Sequence, residues 1–185
     1  MSFTRLLFSP LLFALLLLTS TPGWSEQTAD GLHTEAWFNR SSGDLSRDLE
    51  SASAEGKILA IFWEQPGCHF CEQMHEVNLK IEETAHYIRE NFYPVLLNMR
   101  GKGAITDFDG TSMSETKLAR HHRVAGTPTI EFRNSEAKEI SRLPGYAQPV
   151  IFHGVFEFVA TGAYENADLV PWLKETYLKD RKTGS

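Results

Sequence analysis

Cys68 and Cys71 are the only two cysteines in a chain of 185 residues, and they stand three positions apart. A disulfide across so short a loop removes little conformational freedom from the unfolded chain, so the pair is a weak structural staple. Redox exchange and metal ligation are the duties that remain for it.

The flanking residues favour the first. Residues 57–63, Lys-Ile-Leu-Ala-Ile-Phe-Trp, form a short apolar run partly β-branched or aromatic, as expected of a strand covered on both faces. Pro66 and Gly67 break that strand, and Cys68 opens a helical stretch reaching about Leu79. Only a thiolate attacks a disulfide, and the unpaired N–H groups at a helix start favour the thiolate. This reading makes Cys68 the nucleophile. Cys71, one turn later and less exposed, is the thiol that resolves a mixed disulfide. Covalent haem attachment needs His directly after the second cysteine, where this chain has Glu72. A metal site stays open as the alternative: a metal-binding chaperone holding its ion with Cys68, Cys71 and a histidine. His75 would share their helix face, with His69 or His86 completing the set. There is no second CxxC and no HxxxH run.

Around this unit the pattern alternates. Leu45, Leu49 and Ala52 recur at helical spacing over 44–55, with Gly56 as the stop. Residues 82–91 read as a helix and 93–99 as a strand. The stretch 100–112, rich in glycine and aspartate, reads as a long connection, and 114–122 as a helix with Ser114 at its N-cap. Residues 129–133 and 139–143 read as a hairpin joined by the polar turn 134–138. The helical segments 150–160 and 168–179, parted by Gly162 and Asn166, close the chain. This order predicts an α/β fold with a mixed central sheet and helices on both faces. A second signature, Gly126-Thr127-Pro128-Thr129, leads directly into a strand. A cis Thr127–Pro128 bond there would turn the chain and expose the Thr127 backbone to an incoming peptide.

These blocks resemble the thioredoxin superfamily, with Cys68 to Cys71 and Thr127-Pro128 at its CxxC and cis-proline positions. More narrowly the chain looks like the SoxW-type periplasmic thioredoxin-like proteins. That likeness rests on Phe62-Trp63-Glu64-Gln65-Pro66-Gly67-Cys68-His69-Phe70-Cys71 with His75 following, on Thr106-Asp107-Phe108-Asp109-Gly110, on Ser114-Glu115 with Leu118-Ala119-Arg120, on Val124-Ala125 before the proline signature, and on Arg142-Leu143-Pro144-Gly145-Tyr146. The resemblance implies a thioredoxin fold and a thiol–disulfide oxidoreductase needing no cofactor. It would reduce disulfides of periplasmic partner proteins and be fed by a membrane thiol–disulfide electron donor. His69, Phe70, Thr127 and Pro128 would support the cysteines. His69, when charged, favours the Cys68 thiolate, and Phe70 offers packing.

Two departures matter. The loop before Cys68 is one residue longer than in ordinary thioredoxins, and Ile61 stands where they keep a buried aspartate that moves the resolving cysteine's proton. Glu64 and Glu131 are the candidate replacements. Glu131 interrupts an apolar strand, where an unpaired buried carboxylate is costly; an edge position in water is the equal alternative. Trp63 reads as core packing, and His75, His121 and His122 as surface or capping residues.

Composition sets the remaining bounds. With 42% hydrophobic residues the chain can bury one core, and a net charge of -6 without a basic cluster argues against nucleic acid as partner. Arg5 precedes an apolar run from Leu6 to Leu18 and then the turn-prone residues 19–25. The run is shorter than the roughly 20 residues that span a bilayer. It reads as a secretory signal over 1–25, cleaved to leave a protein outside the cytoplasm with no stable membrane insertion, in the compartment that the resemblance implies to be the periplasm. An irregular lead-in over 26–42, a domain over 43–180 and a flexible tail over 181–185 follow.

Overall fold

The computed structural model describes residues 26–178; the expected signal segment and tail lie outside them. Strand β3 (Ile58–Glu64) lies inside a four-stranded sheet, and cover on both its faces explains its apolar run from Ile58 to Trp63. On one side it runs parallel to β4 (Phe92–Asn98), with Ile61 beside Val95. On the other it runs antiparallel to β7 (Thr129–Arg133), with Ile61 opposite Glu131, and β7 pairs with β8 (Glu139–Pro144) to close the order β4-β3-β7-β8. A parallel neighbour demands a helical crossover. It is supplied by α2 (His69–Gln73), which continues as a π-helical stretch Met74–Asn78, and by α3 (Glu82–Asn91).

Side chains alternate across the sheet and divide the core in two. Ala60 and Phe62 face Ile130, Phe132 and Phe92 under α3 and the helix α5 (Pro149–Ala160), whose Phe152, Val155 and Phe156 fill that side. Leu59, Ile61 and Trp63 face α1 (Leu45–Ala54) and α4 (Glu115–His121) through Leu45, Ala52, Leu118 and Ala119. This is a thioredoxin fold, mixed sheet and two helical layers, as expected from the order of elements. A short helix α6 (Leu169–Leu173) packs on α5 where Gly154 permits close approach: a Cβ there would lie 2.7 Å from Leu173.

Three expectations need correction. The connection over 100–112 is not structureless: β5 (Ala104–Thr106) and β6 (Ser112–Ser114) form a hairpin whose Asp107–Gly110 turn closes through Gly110 N–H to Asp107 O, 3.0 Å. Ser114 holds the N-cap position of α4, but its side chain makes no capping bond. The lead-in carries a two-residue hairpin, β1 (Glu26–Gln27) with β2 (His33–Thr34), and is tied to the domain at several points. Asn39 N–H donates to Pro94 O at 2.8 Å, Phe38 packs on Phe62, and buried Asp48 of α1 accepts from Ser41 Oγ and Ser42 N–H.

Candidate active site

Strand β3 delivers the cysteines to the sheet's end. Gly67 takes a left-handed conformation, φ 70°, which only glycine adopts at little cost, and so turns the strand into α2. Cys68 is the N-cap of that helix. The two cysteines are joined as a disulfide with Cα atoms 5.2 Å apart. Cys68 is 7% exposed and Cys71 0%, so the outer sulfur is the one a partner can reach. Two donors converge on Cys68 Sγ: the Cys71 backbone N–H at 3.2 Å and the Thr127 hydroxyl at 3.2 Å. Both stand ready to stabilise a thiolate when the disulfide opens.

The Thr127–Pro128 bond is cis, and the loop around it is locked by Gly145 N–H donating to Pro128 O at 2.7 Å and by Thr129 Oγ1 donating to Gly126 O at 2.7 Å. Phe70 is 54% exposed beside the disulfide and stacks on Tyr146, ring centres 6.3 Å apart. His69 points outward, its Nδ1 3.8 Å from Glu72. The structure thus gathers Cys68, Cys71, His69, Phe70, Thr127 and Pro128 at one end of the sheet.

The two carboxylates have separate surroundings. Glu131 is not at a wet edge. Strand β7 lies inside the sheet, and the side chain is 0% exposed. It accepts from Trp63 Nε1 at 2.7 Å, Arg133 Nη2 at 3.0 Å and Arg142 Nη2, and lies 2.9 Å from His122 Nδ1. His122 reaches Asp107 with its other nitrogen, 3.0 Å. Burial alone would raise the Glu131 carboxyl, but His122, Arg133 and the Trp63 N–H hold it below its ordinary value. Burial likewise draws His122 down, and Glu131 and Asp107 more than reverse this. Both Glu131 oxygens are therefore occupied within a charged cluster.

Glu64 ends β3, fully buried. Its Oε1 lies 2.8 Å from His75 Nε2, and its Oε2 has no hydrogen-bond partner. The other His75 nitrogen lies 3.1 Å from Glu35 of the lead-in. Burial works against charge on His75, yet these two carboxylates raise its pKa above the ordinary imidazole value.

His75 and His122 are thus interior residues, contrary to the surface or capping role expected of them; His121 is exposed, as expected. The residues that sequence reasoning missed are Glu35, Asp107, Arg133 and Arg142. Their signal was indirect: two glutamates inside apolar strands require buried cationic or hydrogen-bonding partners. The metal alternative finds no support in the geometry. Both His75 nitrogens are engaged by carboxylates, and His69 faces outward. Among the described residues no three His, Cys, Asp or Glu side chains are grouped to hold an ion.

A family model described as a thioredoxin-like domain matches residues 45–160. Among solved structures, a thioredoxin-fold protein from Helicobacter pylori is 27% identical with a TM-score of 0.60, covering 70% of this chain and 86% of that one. A thioredoxin from Thermus thermophilus is 22% identical with a TM-score of 0.53, over 71% of this chain and 97% of that one. No curated protein matches the chain.

Proposed function

From its membership of the thioredoxin-like family, to which this chain belongs over residues 45–160, we propose an exported dithiol reductant that acts on disulfides of partner proteins. The activity class is thiol–disulfide oxidoreduction. The observation that carries it is the Cys68–Cys71 disulfide, with its outer sulfur at a helix start and under the Thr127 hydroxyl.

The Cys68 thiolate attacks a partner disulfide and forms a mixed disulfide; Cys71 then attacks Cys68 Sγ and releases the partner as a thiol. Exposed Phe70 with Tyr146, and the Thr127–Pro128 loop, offer the partner an apolar contact and an accessible backbone. Export is supported by the apolar run Leu6 to Leu18 behind Arg5. Within the family we place the chain with the SoxW-type proteins, on the motif blocks from Phe62 to Tyr146, and with that placement go periplasmic partners and a membrane thiol–disulfide donor.

The test is a Cys71→Ser variant expressed with its leader. It is expected to accumulate partners bound through Cys68 in the periplasmic fraction, released by dithiothreitol and absent from a Cys68→Ser, Cys71→Ser double variant. No trapped partner, or trapping confined to the cytoplasm, would count against the reading.

A further inference from the structure

With a net charge of -6 the chain as a whole repels acidic partners, yet the fold collects cations on one side of the disulfide. Arg100 stands just past β4, and its Nε donates to Gln65 Oε1 at 2.7 Å, in the loop that leads to Cys68. Arg120, in the last turn of α4, lines one depression together with Arg100. In the turn that ends that helix, Arg123 N–H donates to Arg120 O at 3.0 Å. Arg123 lines a second depression with Gly126, Thr127 and Gly145, against the cis-proline loop. Exposed Lys117, one helical turn before Arg120, extends the row.

Internal ion pairing does not occupy these cations. Arg133 and Arg142 are tied to Glu131 and Glu139, whereas among the described residues no ion pair holds Arg100, Lys117, Arg120 or Arg123, and all four are exposed. The negative end of the α4 dipole accounts for a cation at Arg120. It does not account for Arg100, which comes from another element, or for Arg123, which lies beyond the helix. Arg123 takes φ 54°, so the chain keeps an arginine where a helix end ordinarily favours glycine. The carboxylates on this side bond elsewhere: Asp107 with His121 and His122, Glu115 with the Asn98 N–H, and Asp109 with the Thr111 N–H. Across the disulfide the sign reverses, with Glu72 of α2 and Glu76 of the π-helical stretch both exposed.

We propose that Arg100, Arg120 and Arg123 form a docking rim for an acidic segment of the partner protein, so that the disulfides reduced fastest are those flanked by aspartate or glutamate. This rests on the dithiol-exchange reading above and names its substrate class. A partner disulfide that reaches Cys68 Sγ lies over Thr127, whose hydroxyl is 3.2 Å from that sulfur, and Thr127 shares its depression with Arg123. On that flank the partner's chain runs beside Arg123, with Arg120 and Arg100 beyond it. The guanidinium forks can each take a carboxylate through two parallel N–H donors. Exposed cations on such a rim act chiefly on the rate of encounter and on orientation. An acidic segment is drawn toward α4 and turned away from Glu72 and Glu76, which sets the direction in which the partner lies across the disulfide.

The experiment gives the purified, reduced protein two peptide disulfides that differ only in the residues flanking the cysteines, glutamate in one and lysine in the other, and measures the rate of reduction of each. At low salt the glutamate peptide is expected to react about tenfold faster, the low end of what electrostatic steering supplies. The advantage should all but vanish at about 1 M salt, where the screening length falls to about 3 Å. The double variant Arg120→Gln, Arg123→Gln should bring the low-salt ratio of the two rates to about twofold or less. That ratio cancels any change in Cys68 thiolate reactivity, which both peptides share. Arg100→Gln, remote from the left-handed turn at Arg123, should lower the ratio about twofold by itself, and exposed Arg47→Gln on α1 should not alter it. A wild-type ratio near one, a preference for the lysine peptide, or a ratio that neither the double variant nor Arg100→Gln changes overturns the proposal and leaves the exchange reading intact. A wild-type protein that reduces neither peptide overturns both.

Discussion

At the scale of single residues, the donors at Cys68 bear on its reactivity and the buried charges on the pH response. Thr127 offers its hydroxyl to Cys68 Sγ at 3.2 Å, and a hydrogen bond of this kind is worth about 1 kcal/mol or somewhat more to a charged acceptor. Thr127→Val, which keeps the shape, should therefore slow attack by Cys68 about five- to tenfold at neutral pH, as read by insulin reduction. Glu131→Leu leaves Arg133, Arg142 and His122 facing an apolar group. Removing one partner of such a buried set costs about 3–5 kcal/mol, which urea unfolding would detect. The two buried clusters, around Glu64 and around Glu131, together fix a pH window. His75 and His122 have folded pKa values above 6.5, so their contribution is complete below that pH and lost as pH rises through the folded values. Glu131 has a folded value below 4.5, so its contribution is complete above 4.5 and lost as pH falls through the folded value. The network's contribution to thermal stability should be largest between about pH 4.5 and 6.5. His122→Gln should flatten the alkaline side of that profile; an unaltered profile would contradict the assignment. The cysteines and the proline loop were legible because their chemistry is local: a pair at fixed spacing after a broken strand. The clusters around Glu64 and Glu131 were not. Their partners come from residues 35, 75, 107, 122, 133 and 142, and no spacing rule joins them.

Elements with a buried face were read to within about a residue at each end, among them β7 and α1. Leu45 and Ala52 mark α1 because one face meets β3, and Asp44 caps it by accepting from Ser46 N–H at 2.9 Å. Asp44→Ala should cost about 1 kcal/mol in urea unfolding. The hairpin of β5 and β6 escaped notice because its strands are three residues long and carry one buried apolar side chain, Ile105, too few for a period of two to register. The π-helical stretch Met74–Asn78 also escaped, since its apolar residues Met74 and Val77 fit an ordinary helix equally well. At α5 the contact with α6 depends on a missing side chain. Gly154→Val would drive a Cβ into Leu173 and Tyr177, at 2.7 and 2.8 Å, and should lower stability by about 2 kcal/mol.

Across the whole molecule, the segment before residue 45 belongs with the redox domain. It buries Leu32, packs Phe38 on Phe62, bonds Asp48 through Ser41 and Ser42, and supplies Glu35 to His75. The sheet, its two helical layers and the paired signatures at its end together describe a thioredoxin-like oxidoreductase whose outer sulfur is Cys68. The most direct test of that account is a redox titration of the purified protein in thiol–disulfide buffers, following the Cys68–Cys71 bond. The account predicts a single two-electron transition with a midpoint in the region of the thioredoxin value, about -270 mV. No transition at all, or a midpoint near the strong oxidants at about -120 mV, would contradict it.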